Sequence, residues 1–126
     1  MYVEISHDIA VSVSPGYDEV KSDPNHSFYF FSYQVTIENT STQAIQLVDR
    51  HWIITDGNGR LEEVKGEGVV GETPIIQPGQ SYTYSSACPL TTKTGNMRGS
   101  YGIKVDQSIR RVQIPLFFLR TPDSFH

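Results

Sequence analysis

Residues 28–39 read FYFFSYQVTIEN, and this stretch decides the fold. Large apolar residues occupy every second position from Tyr29 to Ile37, and the residues between them are polar from Ser32 onward. Successive side chains of a strand point to opposite faces, so this pattern predicts a long β-strand with one buried face. The stretch therefore places an apolar row in the core of a β-sheet protein.

Six further segments either alternate in the same way or are apolar on both faces. They cover residues 3–13, 45–55, 60–65, 81–90, 97–105 and 111–119. Turn residues separate them, most clearly Asp56-Gly57-Asn58-Gly59, which contains two overlapping hairpin signals. Trp52 indicates that the strand containing it is central and buried. Pro115 predicts that the last strand lies at a sheet edge or is broken there.

About seven short strands and no convincing helix predict an all-β fold. The pattern favours a β-sandwich of immunoglobulin or fibronectin III type. We expect residues 1–126 to form a single domain. His7 falls within the apolar row of the first strand, so we expect it on the buried face or at its rim.

Composition limits the classes of function. The chain has 126 residues, of which 37% are hydrophobic, and this excludes a disordered protein. The net charge is −4, with Lys and Arg scattered, so nucleic acid is not an expected partner. No apolar run reaches the length of a membrane span, and the N-terminus lacks a signal-peptide pattern. We predict a cytoplasmic protein that binds no membrane and exists as a monomer or homodimer.

Residues 66–74, GEGVVGETP, are predicted to form a glycine-rich loop with the sharpest functional signal in the chain. The glycines that match G-x-G-x-x-G are Gly66, Gly68 and Gly71. A dinucleotide site needs a helix after this motif, and Pro74 prevents one. A P-loop needs a lysine to neutralise phosphate, and Glu72 stands at that position.

Two interpretations of this loop remain. Glycines allow backbone amides to form an anion-binding concavity, with Lys65 and Arg60 nearby in sequence, or they simply allow a tight crossing between sheets. Val69 and Val70 either pack inward or form an exposed contact surface. The candidate residues for binding a ligand or partner are Arg60, Lys65, Gly66, Gly68, Val69, Val70 and Gly71.

No catalytic residue, metal site or cofactor is predicted. The four histidines are not paired with each other or with a cysteine at the spacing of zinc ligands. Cys88 is the single cysteine, which excludes an intramolecular disulfide, and no catalytic triad signature surrounds it. A buried, inert thiol is the expected role of Cys88.

Several motifs in fixed order resemble the ApaG family of small bacterial proteins. They are WIITDGNG (52–59), GEGVVGETP (66–74), IIQPG (75–79), YTYSS (82–86), GNMRGSY (95–101) and the closing segment 114–119. The resemblance runs from near residue 1 to His126. It implies a fibronectin III-like sandwich and identifies residues 1–126 as a single ApaG domain.

The resemblance implies a binding role. The biochemical function of the family is not established, and its bacterial members are associated with cobalt and magnesium handling. The same domain occurs in eukaryotic F-box proteins and in a polymerase-delta-interacting protein, where protein–protein contact is supposed. We therefore predict a non-catalytic interaction module with an unidentified protein partner, linked to cobalt and magnesium homeostasis. The main alternative is binding of phosphate, pyrophosphate or a nucleotide through the glycine-rich loop. A third class is a metal-dependent enzyme whose histidines are brought together by the fold.

Overall fold

The computed structural model describes residues 1–124, and over this range the chain forms nine strands and two short 3₁₀ turns. The strands are β1 (Tyr2–Ser6), β2 (Ile9–Tyr17), β3 (Tyr29–Asn39), β4 (Ile45–Asp56), β5 (Leu61–Glu67), β6 (Ile75–Ile76), β7 (Ser81–Leu90), β8 (Thr94–Val105) and β9 (Ser108–Arg120). The 3₁₀ turns are Pro24–His26 and Pro122–Ser124. No helix in this range is long and apolar enough to cross a membrane.

The strands form two antiparallel sheets packed as a sandwich, so the predicted all-β class is confirmed. One sheet has the strand order β1-β2-β3-β7, and the other has the order β5-β4-β8-β9, with β6 also paired to β4. The apolar row of β3 faces the second sheet, and Phe31, Val35 and Ile37 are at most 1% exposed. The alternation in residues 28–39 therefore reports a true core strand.

Trp52 lies at the centre of this core, as predicted. It sits on β4, which is flanked by β5 and β8, and it is 3% exposed. Its ring centroid lies 5.4 Å from that of Tyr33 and 5.9 Å from that of Phe117. Aromatic pairs at such distances add stability beyond the apolar area that they bury.

The first predicted strand is a hairpin, and this part of the prediction was wrong. His7 (φ 51°) and Asp8 (φ 61°) form a two-residue turn between β1 and β2, a backbone conformation that histidine and aspartate tolerate better than most residues. Ile5 pairs with Ala10, so Ile5 lies on the outer face and is 67% exposed. His7 is also exposed, not buried. The split of this strand and the two-residue β6 account for the strands beyond the expected seven.

Pro115 has both of the effects predicted for it. It lies in β9, at the edge of the second sheet. The ladder with β8 shifts register between Ile114 and Phe117, on either side of the proline. A residue without an N–H group is tolerated where no ladder bond is required of it.

The two sheets meet on one side of the sandwich and stay apart on the other. On the closed side, the Tyr2 ring lies 6.1 Å from the Phe117 ring, and the backbone N–H of Gln113 donates to Ser6 Oγ at 2.9 Å. These contacts join β1 to β9. On the open side, β7 of one sheet and β5 of the other flank a cleft.

Candidate functional site

The inter-sheet cleft on the open side has a volume of about 450 Å³, within the usual range for small-molecule sites. Side chains from β3 and β7 form one wall, side chains from β4 and β5 form the other, and Val70 and Gly71 border one end. The lining residues that matter most are Tyr33, Arg50, Trp52, Val64, Tyr84 and Cys88.

The predicted glycine-rich loop is a tight hairpin that continues from β5. We call residues 67–73, from the last residue of β5 onward, the glycine hairpin. Val69 and Glu72 exchange two backbone hydrogen bonds, of 2.8 and 2.9 Å. Between them, Val70 (φ 48°) and Gly71 (φ 77°) form the two-residue turn, with the positive φ angles of a type I′ turn. The segment is therefore an ordered element at the end of the cleft.

The two valines of the hairpin have different environments. Val69 is 0% exposed and belongs to the core, whereas Val70 is 63% exposed at the tip. Val69 therefore packs inward, and Val70 is exposed. A positive φ is a genuine outlier for a β-branched residue, so the hairpin holds Val70 outward in an unfavourable backbone conformation.

Two glycines of the motif lie at close approaches, Gly66 to the end of a side chain and Gly68 to the backbone. A Cβ atom on Gly66 would lie 2.7 Å from Arg50 Nη1, so the absence of a side chain makes room for the guanidinium. A Cβ atom on Gly68 would lie 2.2 Å from the carbonyl oxygen of Glu72, and Gly68 also has a φ of 62°. These close approaches show that the glycines shape a tight turn. The segment joins β5 to β6, which both pair with β4 in one sheet, so the expected crossing between sheets was wrong.

Arg50 is the residue that the sequence reasoning missed. The pairing of β4 with β8 shifts register between Leu47 and Asp49, which marks a β-bulge at Val48. A bulge inserts one residue and reverses the alternation beyond it. Arg50 consequently lies on the same face as Trp52 and lines the cleft. The available signal was that Arg50 lies two residues before Trp52, a spacing that places both side chains on the same face of a strand.

The glycine hairpin holds the Arg50 guanidinium through carbonyl oxygens. Nη1 donates to the carbonyl oxygens of Glu67 at 2.9 Å and Gly68 at 3.1 Å. The Gly68 N–H in turn donates to the carbonyl oxygen of Val48 at 2.8 Å, so the bulge anchors the start of the hairpin. Oxygen dipoles at this end of the cleft are therefore directed at a cation.

Three tyrosine hydroxyls lie within the electrostatic influence of the same guanidinium. Burial raises the pKa of Tyr33, Tyr84 and Tyr101, and the positive charge of Arg50 opposes that rise in all three. The hydroxyls of Tyr84 and Tyr101 share a hydrogen bond. All three side chains are uncharged at neutral pH and can act only as hydrogen-bonding groups there.

Cys88 forms part of the cleft wall. It is 5% exposed, which confirms the predicted burial. Burial, with a smaller contribution from the Glu62 carboxylate, raises the pKa of the thiol to about 11. The reactive form of cysteine is the thiolate, so at neutral pH Cys88 is held in its unreactive form.

The two basic residues predicted for the site do not join Arg50. Lys65 is exposed and its Nζ lies 3.5 Å from Glu63 Oε1. Arg60 precedes β5 at the opposite end of the strand, roughly 20 Å from Gly66 at the usual rise per residue. Among the residues between 1 and 124 that line the cleft, the one cationic side chain is Arg50.

Three of the hairpin amides are already engaged. The N–H groups of Gly68, Val69 and Glu72 all donate to backbone carbonyl oxygens. The Glu72 carboxylate accepts a hydrogen bond of 2.9 Å from Tyr82 Oη, which ties the hairpin to β7. These three amides are therefore not directed at an external anion, and a carboxylate lies beside them.

Over residues 1–124, no group of three or more His, Cys, Asp or Glu side chains is placed to hold a metal ion. His51 Nε2 lies 2.6 Å from Glu63 Oε1, and the Glu63 pKa is lowered by this hydrogen bond and by Lys65. His26 Nδ1 lies 2.7 Å from Asp23 Oδ2. His126 lies outside the described residues.

Comparison with known proteins places these features in a family. A model of the ApaG domain matches residues 19–105. Protein ApaG of Brucella canis is 47% identical over 124 residues, covering 98% of this chain and 95% of the relative. The chain therefore belongs to the ApaG family, as its motifs predicted.

Solved structures agree with this assignment. A crystal structure described as an ApaA protein of Bordetella pertussis has 44% sequence identity and a TM-score of 0.89, covering 93% of this chain and 96% of that one. A protein from Archaeoglobus fulgidus shares only 10% identity, with a TM-score of 0.56 over 87% of this chain and 95% of that one. The second likeness concerns the fold alone.

Proposed function

We propose that this protein is a non-catalytic binding module whose ligand seat is the inter-sheet cleft, with the tip of the glycine hairpin as a separate contact for a protein partner. The observation that carries the proposal is the cleft itself. It is preformed, of suitable volume, and walled by apolar and aromatic side chains with a few polar groups. Sites of this composition are typical of small-molecule binding.

The groups in the cleft favour binding over catalysis. A general base or nucleophile must be available in its deprotonated form near neutral pH. The Cys88 thiol and the tyrosine hydroxyls all have raised pKa values. Arg50 donates hydrogen bonds and has no acceptor. The cleft therefore offers shape, apolar surface and hydrogen-bond donors, with the Glu62 carboxylate at its far end and no thiolate or phenolate among its described lining residues.

The ligand seat can be tested with the uncharged probe 4-phenylbutan-1-ol. Trp52 is the single tryptophan of the chain and lines the cleft, so its fluorescence reports on occupancy. We expect a saturable change in Trp52 emission on titration. A response that stays linear in probe concentration would contradict the proposal.

A matched pair of variants on β7 provides the control. Ser86 lines the cleft, whereas Ser85 precedes it on the opposite, exposed face of the strand. We expect Ser86→Phe to fill part of the cleft and weaken probe binding at least tenfold. Ser85→Phe adds the same bulk outside the cleft and should leave binding unchanged. Equal effects from the two variants would argue against the cleft as the seat.

The exposed tip of the hairpin supports the second contact. Val70 is apolar, 63% exposed and fixed by a two-residue turn, which suits it for contact with a protein surface. A photo-crosslinking residue at position 70 should capture a defined partner, or a second copy of this chain, in cells. The control position is Asn58, at the tip of the other hairpin of the open side. The absence of any adduct at position 70, or the same adducts at both positions, would contradict the proposed contact.

The phosphate alternative has less physical support than the cleft. Three hairpin amides already donate to backbone oxygens, and Arg60 and Lys65 lie away from the Arg50 guanidinium. Saturable pyrophosphate shifts confined to the amide signals of Gly68 and Gly71 would reinstate it. Cytoplasmic location and the link to cobalt and magnesium handling stay predictions.

A further inference from the structure

We infer that the inter-sheet cleft selects a small organic anion, with an apolar body that packs on Trp52 and one carboxylate-like group that pairs with Arg50. This inference rests on the proposed ligand seat and names the class of ligand that it takes.

Arg50 is fixed in position by its contacts with the hairpin. Nη1 donates to two carbonyl oxygens, and Gly66 leaves the space that the guanidinium occupies. Holding a charged side chain in place before a ligand arrives reduces the entropy lost on binding. Arg50 is therefore a preorganised cation at the end of an apolar cleft.

The guanidinium retains donors for a ligand. Over residues 1–124, Nε and Nη2 of Arg50 donate to no protein atom, and no buried side-chain nitrogen or oxygen lacks a partner. Together these facts mean that the remaining N–H groups are accessible to solvent. A planar guanidinium with two adjacent donors matches the geometry of a carboxylate.

No carboxylate pairs with Arg50 among the described residues. The nearby carbonyl oxygens and tyrosine hydroxyls are uncharged, and Asp49, which precedes Arg50, faces the outer surface and binds Arg111 Nη1. A cation without a protein counter-ion favours an anionic ligand group. The carboxylate that lines the cleft, Glu62, pairs in register with Ile54, roughly 13 Å along β4 from Arg50.

The opposite walls of the cleft define the rest of the ligand. Trp52 and Val64 pair across β4 and β5, and Tyr33 faces them from β3. These side chains present rings and a branched aliphatic group, which favour an aromatic or branched apolar body. Glu62 at the far end disfavours a second negative charge there. The fitting ligand therefore carries its single anionic group at one end.

A charge series with a constant apolar body tests the inference. The probes are 4-phenylbutyrate, 4-phenylbutan-1-ol and 4-phenylbutylamine, each titrated against Trp52 fluorescence. We expect the carboxylate to bind about tenfold more tightly than the alcohol, the scale of a charge-assisted hydrogen-bonded pair. We expect the amine to bind more weakly than the alcohol, because its charge repels Arg50.

Variants of Arg50 identify the source of the preference. In Arg50→Met the ratio of carboxylate to alcohol affinity should fall to about one, and Arg50→Lys should restore part of it. The ratio within one variant is insensitive to general damage to the cleft. The control Arg111→Met removes a cation from the outer face and should keep the tenfold ratio.

The outcomes separate this inference from the proposed seat. Saturable alcohol binding with equal affinity for the carboxylate, or a preference that survives in Arg50→Met, would overturn the inference and leave the seat in place. Tighter binding of the amine would assign the selectivity to Glu62 and also overturn it. Absence of saturable binding by all three probes would remove the seat and the inference with it.

Discussion

The closed and open sides of this sandwich are both built from antiparallel strands. Contacts join the two sheets on the closed side, and a cleft separates them on the open side. On the closed side, β1 carries Tyr2 onto Phe117, and Ser6 accepts an N–H from β9. On the open side, β5 and β7 stand apart, and the glycine hairpin bridges them at one end through Glu72 and Tyr82. One edge of the core is thus sealed by contacts between the sheets, and the opposite edge holds the proposed ligand seat.

The largest expected effect comes from truncating the closed side. Phe117 is 0% exposed and packs against Tyr2, Tyr33 and Trp52. We expect Phe117→Ala to lower the free energy of unfolding by about 3–5 kcal/mol, measured by urea unfolding. Val64→Ala, on the half-buried wall of the open cleft, should lower it by about 1 kcal/mol. Equal losses of unfolding free energy in the two variants would mean that the closed and open sides contribute equally to stability.

High pH should lower the stability of the protein through ionisable groups on the open side. The pKa of Cys88 is raised in the folded state to about 11, and those of Tyr33, Tyr84 and Tyr101 are raised too. When the pKa of a group is higher in the folded state than in the unfolded state, its contribution to stability is fully present below the unfolded-state pKa. That contribution is lost as the pH rises through the folded-state pKa. We expect the free energy of unfolding to fall between about pH 9 and 11, by about 3 kcal/mol from Cys88 alone.

Urea unfolding at a series of pH values measures this loss. Cys88→Ala should show a shallower decline above pH 9 than the parent protein, because one ionisable group has been removed. An identical pH slope in the two proteins would mean that the Cys88 thiol titrates in the folded state as it does when unfolded.

The glycine hairpin allows a smaller and more local test. Gly68→Ala places a Cβ atom against the Glu72 carbonyl oxygen at a residue with positive φ. Gly79→Ala also falls at a positive φ, but its Cβ atom would meet nothing within 4 Å. We expect Gly79→Ala to lower the free energy of unfolding by about 1 kcal/mol and Gly68→Ala to lower it by about 2–3 kcal/mol. Equal losses in thermal unfolding would show that the hairpin relaxes around the added atom.

The sequence predicted the core more completely than the site. The row from Tyr29 to Ile37, the central Trp52 and the edge position of Pro115 follow from period-two alternation and from the missing N–H of proline. These are local properties of the chain, so one sequence is enough to identify them.

The sequence did not predict the features at which the alternation of buried and exposed side chains changes without an obvious signal. The two-residue turn at His7 and Asp8 keeps the spacing of apolar residues but reverses the face, so Ile5 faces outward. The bulge at Val48 reverses the face again and directs Arg50 inward. Glycines marked the hairpin correctly. The carbonyl oxygens of Glu67 and Gly68 accept hydrogen bonds from Arg50, and spacing along the chain does not define this contact.

We expect ligand binding to be confined to the open side. This can be tested by NMR of the ¹⁵N-labelled protein, with the backbone and indole N–H signals followed during titration with 4-phenylbutan-1-ol. Saturable shifts are expected for Trp52 Nε1–H and for the amides of Val70, Gly71 and Ser86, and the signals of β1 and β9 should stay unchanged. Shifts of equal size on the closed side, or none that saturate near Trp52, would contradict it.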